Sequence, residues 1–272
     1  MSIELSTNTF FQKDVVDNFS CSSSSFSSYL FPDLFEFIID EEWDIIRECL
    51  KSTKAVLLCQ ERDDTNLSCL SVAIAYQAPL EIIKDMVQID PSLLTYNGYD
   101  DYGATPLHVG CLNGASLETL DFILNRCKEL ATALDRDQRS SLHHATEYVC
   151  GCCSPDSSTS ANEPNSSEQE EKPLRRRPYS YCISLLKMIC KAAPEMVHVQ
   201  DNIDNGLTPL DLIQLHKAAK LPGSEEYKKL HSLYNILKNT SILVYRNKKQ
   251  FWEQLEFQKN IILSDHHQVD IT

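Results

Sequence analysis

The stretch that decides the fold reads TPLHVG at residues 105–110, with DYG at 101–103 before it and LNG at 112–114 after it. A threonine followed by proline is typical of a helix start. The threonine side chain accepts a hydrogen bond from a free backbone N–H, and proline suits the first helical position, where its missing N–H costs nothing. Gly103 stands in the preceding turn, where glycine easily adopts a positive φ. The stretch therefore predicts a turn followed by a helix.

Related stretches recur along the chain. SSLHHA lies 35 residues further on at 140–145, and SCLSVA lies 37 residues earlier at 68–73. A further copy, TPLDL, occupies 208–212, and PDLF at 32–35 is a degenerate first copy. Each is followed by a second segment with apolar residues at helical spacing, as in 117–124. Repetition at this period predicts a stack of about five helical pairs.

This motif resembles the ankyrin repeat, with Gly110 where that motif usually has alanine. The resemblance implies an all-α solenoid of stacked helix–turn–helix units with finger turns, in which His108 and His143 bond to neighbouring backbone. It covers roughly residues 31–239, about three quarters of the chain. We expect repeats near 32–67, 68–104, 105–139, 140–207 and 208–240.

The fourth repeat contains an inserted polar segment. Between residues 154 and 173, Ala161 is the sole apolar residue apart from proline. Such a composition cannot bury enough surface to offset its ordering entropy. We therefore expect a disordered loop at 151–178, between the two helices of this repeat.

The two ends of the chain differ from the repeats. Residues 1–30, which include a run of four serines, are expected to be a disordered segment. Apolar residues around Phe251 and Trp252 predict a separate capping helix at 241–262 that shields the open end of the stack. A disordered tail is expected at 263–272.

Charge limits the classes of partner. The chain has 25 basic and 39 acidic residues, a formal charge of −14, and the excess of acid lies in the first 223 residues. Such a body repels phosphate backbones and anionic membranes and attracts a basic protein surface. No signal region or membrane-spanning apolar run of ~18 residues is evident. We therefore expect a protein of the cytoplasm or nucleus whose 11 cysteines are reduced.

Motifs for catalysis or cofactor binding are missing from the sequence. None of the 7 glycines is spaced as a phosphate-cradling loop requires. No Gly-x-Ser-x-Gly elbow and no serine–histidine–acid order occurs. We therefore expect a non-enzymatic scaffold or adaptor, with no cofactor, that binds another protein through its fingers and concave face. The sequence does not indicate an oligomeric state.

The candidate binding surface centres on the connection between the second and third repeats. Tyrosine is enriched at interface hot spots because it offers a large apolar area and loses little entropy. Aspartate beside it would steer a basic partner. The candidate partner-binding residues, on this finger, the next finger and the concave helices, are Tyr96, Tyr99, Asp100, Asp101, Tyr102, Asp135, Arg136, Tyr76 and Asn113.

A cluster of histidines and cysteines precedes the insertion, comprising His143, His144, Cys150, Cys152 and Cys153. Thiolates and imidazoles can bind zinc, but this spacing matches no paired Cys-x₂-Cys knuckle, so no metal site is assigned. The other interpretations of these cysteines are reversible oxidation, lipidation, or thiols that do not react. The alternative function is accordingly a redox- or zinc-responsive switch that uses Cys150, Cys152 and Cys153.

A basic run ends the insertion. Arg175 and Arg177 lie five and three residues before Ser180, a pattern that resembles the recognition motif of basophilic kinases. The same run is also interpreted as a short nuclear-import signal, or as solvent-exposed positive charge that balances nearby glutamates. Ser180 is therefore the candidate phosphorylation site, and its phosphate would lie near a helix N-terminus.

If the insertion is not part of the core, deleting residues 154–173 should change the melting temperature by little. Limited proteolysis should cut the intact chain first near Arg175. Thermal unfolding of the deletion variant beside the full chain measures this. Loss of the folded state on deletion would contradict the interpretation.

Overall fold

The computed structural model describes residues 34–63, 66–95, 100–153, 176–203 and 206–269, and side chains as far as residue 256. In these ranges the backbone is mainly helical and contains no β-strand, so the all-α prediction is confirmed. The helices are α1 Leu34–Ile39, α2 Trp43–Leu50, α3 Ala55–Gln60, α4 Cys69–Ala75, α5 Leu80–Ile89, α6 Pro106–Leu112, α7 Leu117–Arg126, α8 Ser141–Cys152, α9 Tyr179–Ala192, α10 Pro209–Ala218 and α11 Glu225–Val269. Short 3₁₀ turns follow three of them, at Pro91–Leu94, Lys128–Thr132 and Pro194–His198.

Hydroxyl side chains start the repeated helices, as the sequence predicts. The N-cap residues of α4, α6, α8 and α10 are Ser68, Thr105, Ser140 and Thr208. The Thr105 hydroxyl accepts a hydrogen bond from the backbone N–H of His108 at 3.3 Å. Pro106 follows it at the first helical position, where the ring fits without the loss of a hydrogen bond. These caps fix the points at which the chain turns into each helix.

The helices pack in two layers. In the first layer α4 packs on α6, α6 on α8, and α8 on α10. In the second layer α5 contacts α7, α7 contacts α9, and α9 contacts α11, while α1 and α2 extend the two layers at the N-terminal side by packing on α4 and α5. The apolar side chains between the layers are fully buried, among them Leu70, Ile83, Leu107, Leu120 and Ile123.

Gly110 lets two helices of one pair approach closely. A Cβ built at this position would lie 2.8 Å from Cδ2 of Leu120 and 3.2 Å from Cγ2 of Ile74. Both neighbours belong to the packed core, so neither can move away cheaply. A methyl group at this position would therefore require the side chains of Leu120 and Ile74 to shift.

The C-terminal region differs from the prediction of two separate helices. A single helix, α11, runs from Glu225 to Val269 without a turn at residue 240 and continues into the predicted tail at 263–269. Its sequence contains no glycine or proline, so nothing in it interrupts the backbone hydrogen bonds. Phe251 and Trp252 are 57% and 66% exposed, so these two rings do not make the capping contact predicted for 241–262, although Val244 of the same segment is buried.

The insertion also has different bounds from those predicted. Gly151 and Cys152 belong to α8, because the backbone hydrogen-bond ladder of that helix continues to its cap at Cys153. At the other end, residues 176–178 are described and lead directly into α9. The remainder of the predicted loop at 154–175, like residues 1–33 and 270–272, lies outside the described residues.

Leu107 provides a test of the core. Its side chain is fully buried between the layers, so Leu107→Ala should lower the free energy of unfolding by roughly 2–5 kcal/mol through lost burial and the cavity left behind. Urea unfolding followed by circular dichroism measures the change. Leu221 is 81% exposed, and Leu221→Ala serves as the control, with an expected change within about 0.5 kcal/mol. Equal effects of the two substitutions would contradict this placement of the core.

Candidate functional site

An aspartate closes each finger that precedes a repeated helix. One carboxylate oxygen accepts a hydrogen bond from the backbone N–H of the residue just before the N-cap, at 2.7 to 2.9 Å. The pairs are Asp63 with Leu67, Asp100 with Ala104, Asp135 with Arg139, and Asp201 with Leu207. This role was not predicted from the sequence, although an aspartate five residues before three of the four caps is a visible signal. The fingers are thus held by local side-chain bonds to the backbone.

Two candidate binding residues are therefore misplaced in the sequence analysis. Asp100 and Asp135 are 7% and 8% exposed, with their carboxylates turned into the fingers. The second oxygen of Asp135 accepts a hydrogen bond from Nε2 of His144 at 2.9 Å. Buried carboxylates that hold turns cannot offer their charge to a partner, so both are structural residues.

Neighbouring fingers are hydrogen-bonded to one another. Nδ2 of Asn66 donates to Oδ1 of Asp101 at 3.2 Å, and the backbone N–H of Arg136 donates to the carbonyl of Tyr102 at 2.9 Å. The next link runs from the Asn202 N–H to the Asp137 carbonyl at 2.7 Å. These contacts produce one continuous edge, here called the fingertip row, formed by Asn66, Asp101, Tyr102, Arg136, Asp137 and Asn202.

The fingertip row presents side chains to solvent. Tyr102 is 50% exposed, and Asp101, Arg136 and Asp137 are also exposed. The hydrogen bonds that hold Tyr102 in its finger use its backbone N–H, which donates to Asp100, and its carbonyl. The backbone of Tyr102, to which the exposed phenol is attached, is therefore fixed in position.

The other candidate binding residues do not join this row. Tyr76 and Asn113 are half-buried C-caps of α4 and α6, at the helix ends opposite the fingers, and Nδ2 of Asn113 donates to the carbonyl of Val109 in its own helix. Tyr96 and Tyr99 lie outside the described residues. The structure therefore brings together Asp101, Tyr102 and Arg136 and separates them from the rest.

Neutral histidines connect caps and fingers. Nδ1 of His108 and of His143 accepts a hydrogen bond from the N-cap backbone N–H of its own helix, at 3.0 Å in both cases. Nε2 of His143 then donates to the carbonyl of Leu207 in the next finger at 3.1 Å. Burial lowers the pKa of His143 to about 4 and, together with the nearby His144, that of His108 to about 3. The histidine role implied by the repeat motif is thus observed in both helices.

The thiols divide into two kinds. Cys150 and Cys153 are buried, and burial raises the pKa of both. Cys152 is half-buried and hydrogen-bonded to Cys182, a residue that the sequence analysis did not connect with it. Among the described residues no group of three His, Cys, Asp or Glu side chains is arranged to hold a metal ion.

The segment that leads into α9 is anchored to the residues that follow α4 and α6. The guanidinium of Arg177 donates to the carbonyl of Gly114 at 3.1 Å and to Oε1 of Gln77 at 2.6 Å, and it lies 5.5 Å from the ring centre of Tyr181. The Tyr181 hydroxyl donates to the carbonyl of Ala115. The loop predicted for 151–178 therefore includes an ordered anchor at Arg177.

This anchor changes the interpretation of Ser180. Ser180 is exposed, and it occupies the first turn of α9 beside Arg177, whose guanidinium is already engaged. A kinase that reads an extended peptide would have to unwind this turn and release Arg177. Arg175, the other basic residue of the motif, lies outside the described residues.

No protein-family model and no curated protein matches the chain. Within the described ranges, no helix is both long and apolar enough to cross a membrane. The function must therefore be inferred from the geometry of the fingers, histidines and thiols.

Neutral histidines make the stability of the fold depend on pH. The pKa of folded His143 is about 4, below its ordinary value of 6.5, so between these values the unfolded chain binds a proton that the folded chain does not. The stability that the neutral ring contributes is complete above the ordinary value and is lost as the pH falls toward about 4. We expect His143 alone to contribute a slope of up to about 1.4 kcal/mol per pH unit in this window, and the buried His108 to add to it; urea unfolding at a series of pH values measures the total.

A non-titrating replacement isolates this effect. In His143→Asn the side chain keeps an acceptor and a donor but cannot take up the proton, so the slope should become shallower. His231→Asn, an exposed histidine on α11, is the control and should keep the original slope. An unchanged slope in His143→Asn would show that other groups cause the pH dependence.

Proposed function

We propose that the chain is an ankyrin-type repeat protein, a solenoid of about five units, that acts as a non-enzymatic scaffold binding another protein. Three features of the described residues support this. Helix pairs stack in two layers in chain order, Ser or Thr begins the four helices α4, α6, α8 and α10, and a finger precedes each of these four. The neutral histidines that link a cap with the next finger agree with the same motif.

The fingertip row is the proposed binding surface, and the exposed, preorganised ring of Tyr102 is the observation that carries the proposal. The ring offers a large apolar area, and the backbone of Tyr102 is held by hydrogen bonds on both sides. Binding would therefore cost little conformational entropy. Tyrosine in such a position is typical of a hot spot. Arg136 beside it supplies a second side chain of the kind that dominates interfaces.

Charge indicates the kind of partner. Asp101 and Asp137 flank Arg136 on the exposed row, and the first 223 residues carry 33 acidic against 18 basic residues. We infer a partner with a basic surface and a carboxylate that can pair with Arg136. The same acidic excess disfavours nucleic acid as the partner.

An enzymatic role has less support. The Asp135–His144 pair is the arrangement most like catalytic machinery in the described residues, and both side chains are buried, at 8% and 7% exposure. His108 packs edge-on against His144 at 5.3 Å between ring centres. A substrate cannot reach groups enclosed in this way, so the pair is better explained as part of the finger and its stack.

Tyr102→Ala tests the proposal. The substitution keeps the backbone bonds of the finger, so melting temperature should change little, while affinity for a captured partner should fall by roughly 2 kcal/mol, about thirtyfold. Proteins captured from a lysate by the wild type and by the variant are compared by quantitative mass spectrometry. Calorimetry with the identified partner then gives the change in Kd.

Tyr245→Ala is the control, because Tyr245 is an exposed tyrosine, at 69% against 50% for Tyr102, that lies on α11, away from the fingers. It should leave capture and affinity unchanged. Binding that persists in the triple variant Asp101→Ala, Tyr102→Ala, Arg136→Ala would overturn the assignment of the fingertip row.

A further inference from the structure

Two thiols meet where the insertion joins the helices. Cys152 is the last residue of α8, and Cys182 lies in the first turn of α9. They are 30 positions apart in the sequence, yet their side chains are hydrogen-bonded to each other. The packing of α8 on α9 therefore places one sulfur beside the other.

The surroundings give the two thiols different properties. The Cys182 thiol, the backbone N–H of Arg177 and the hydroxyl of Tyr148 all donate toward Cys152, and Arg176 adds positive charge nearby. These donors, the Cys182 thiol above all, lower the pKa of Cys152 to about 6, against the effect of burial. The same hydrogen bond raises the pKa of Cys182. At neutral pH the pair is thus a thiolate beside a protonated thiol.

Accessibility also distinguishes Cys152. It is half-buried, whereas Cys182, Cys150 and Cys111 are buried. Cys49 and Cys127 are half-buried as well, but burial and nearby glutamates raise their pKa. Of these thiols, Cys152 alone combines access to solvent, stabilised negative charge and a neighbouring thiol, which are the requirements of a redox-active cysteine.

We propose that Cys152 and Cys182 form a redox site whose substrate is a hydroperoxide and whose product is an intramolecular disulfide. The Cys152 thiolate attacks the terminal peroxide oxygen, the O–O bond breaks, and Cys152 becomes a sulfenic acid, while the other oxygen departs after protonation as an alcohol, or as water when the substrate is hydrogen peroxide. The sulfur of Cys182 then attacks the sulfenic sulfur, losing its proton, and the S–OH bond breaks to release water. Two thiols are oxidised by two electrons, and one hydroperoxide is reduced.

The disulfide would act on the anchor of the insertion. In the reduced state the thiolate accepts the N–H of Arg177 and attracts Arg176. Oxidation removes this negative charge, while the side chain of Arg177 still bridges Gln77 and Gly114. The redox state of the pair thereby changes how the segment before α9 is held against the second and third repeats. This effect does not depend on whether the fingertip row binds a protein.

Peptide mapping of the full chain tests the proposal. The reduced protein is treated with hydrogen peroxide, the remaining thiols are blocked with N-ethylmaleimide, and tryptic peptides are analysed without reduction. Peptide 177–187 contains Cys182 and no other cysteine, so its linkage to peptide 140–175 reports the disulfide, and fragmentation assigns it to Cys152. In Cys182→Ser the reaction should stop at the sulfenic acid of Cys152, which dimedone traps. In Cys152→Ser peptide 177–187 should stay unlinked.

Alkylation of the untreated wild type provides a measurement that requires no variant. At neutral pH iodoacetamide should modify Cys152 at least about tenfold faster than Cys127, the half-buried control thiol. Equal rates at the two cysteines would overturn the proposal. So would peroxide treatment that links Cys152 to Cys150 or Cys153, that links two chains instead, or that leaves peptide 177–187 unlinked in the wild type.

Discussion

A neutral imidazole joins the start of one helix to the finger of the next repeat. Because Nδ1 of His143 accepts the Ser140 N–H, the proton must reside on Nε2, where it is donated to the carbonyl of Leu207. One side chain thus fixes a helix start and a contact between repeats at the same time. In the last described repeat the position holds Asp211, which accepts the Thr208 N–H but has no proton to pass on. No further finger follows α10, so an acceptor is sufficient there.

The caps and the core were predictable because their signals are local. Thr105 and Thr208 begin helices for a reason contained in two adjacent residues, a hydroxyl cap followed by proline. Leu107 is buried because the helical period assigns it to the inner face. The finger aspartates had an equally local signal, but aspartate beside the finger tyrosines was interpreted as charge that steers a basic partner. Asp100 was therefore assigned to a binding surface, whereas its carboxylate holds the turn.

The C-terminal helix and the thiol pair show two different limits of structure prediction from the sequence. In α11 the local sequence, free of helix breakers, favoured one continuous helix, and the expectation of a repeat boundary overrode that signal. The apolar side chains Leu237 and Val244 are buried, but the stripe continues to the exposed Phe251 after the array has ended. The contact of Cys152 with Cys182 had no local signal at all, because only the packing of α9 on α8 creates it.

A long connection between α8 and α9 is compatible with the stack because the contacts between neighbouring helix pairs are made by the helices and not by the connection. Tyr148 of α8 packs so closely over Gly114 that a Cβ there would lie 2.2 Å from its ring, and Tyr181 of α9 lies edge-on to Tyr148 at 6.1 Å. These contacts hold α8 and α9, the helices at the two ends of the connection. Lengthening a loop between fixed ends costs little, about 0.6 kcal/mol for each doubling. The insertion can therefore vary while Arg177 and Cys152 keep their places at its base.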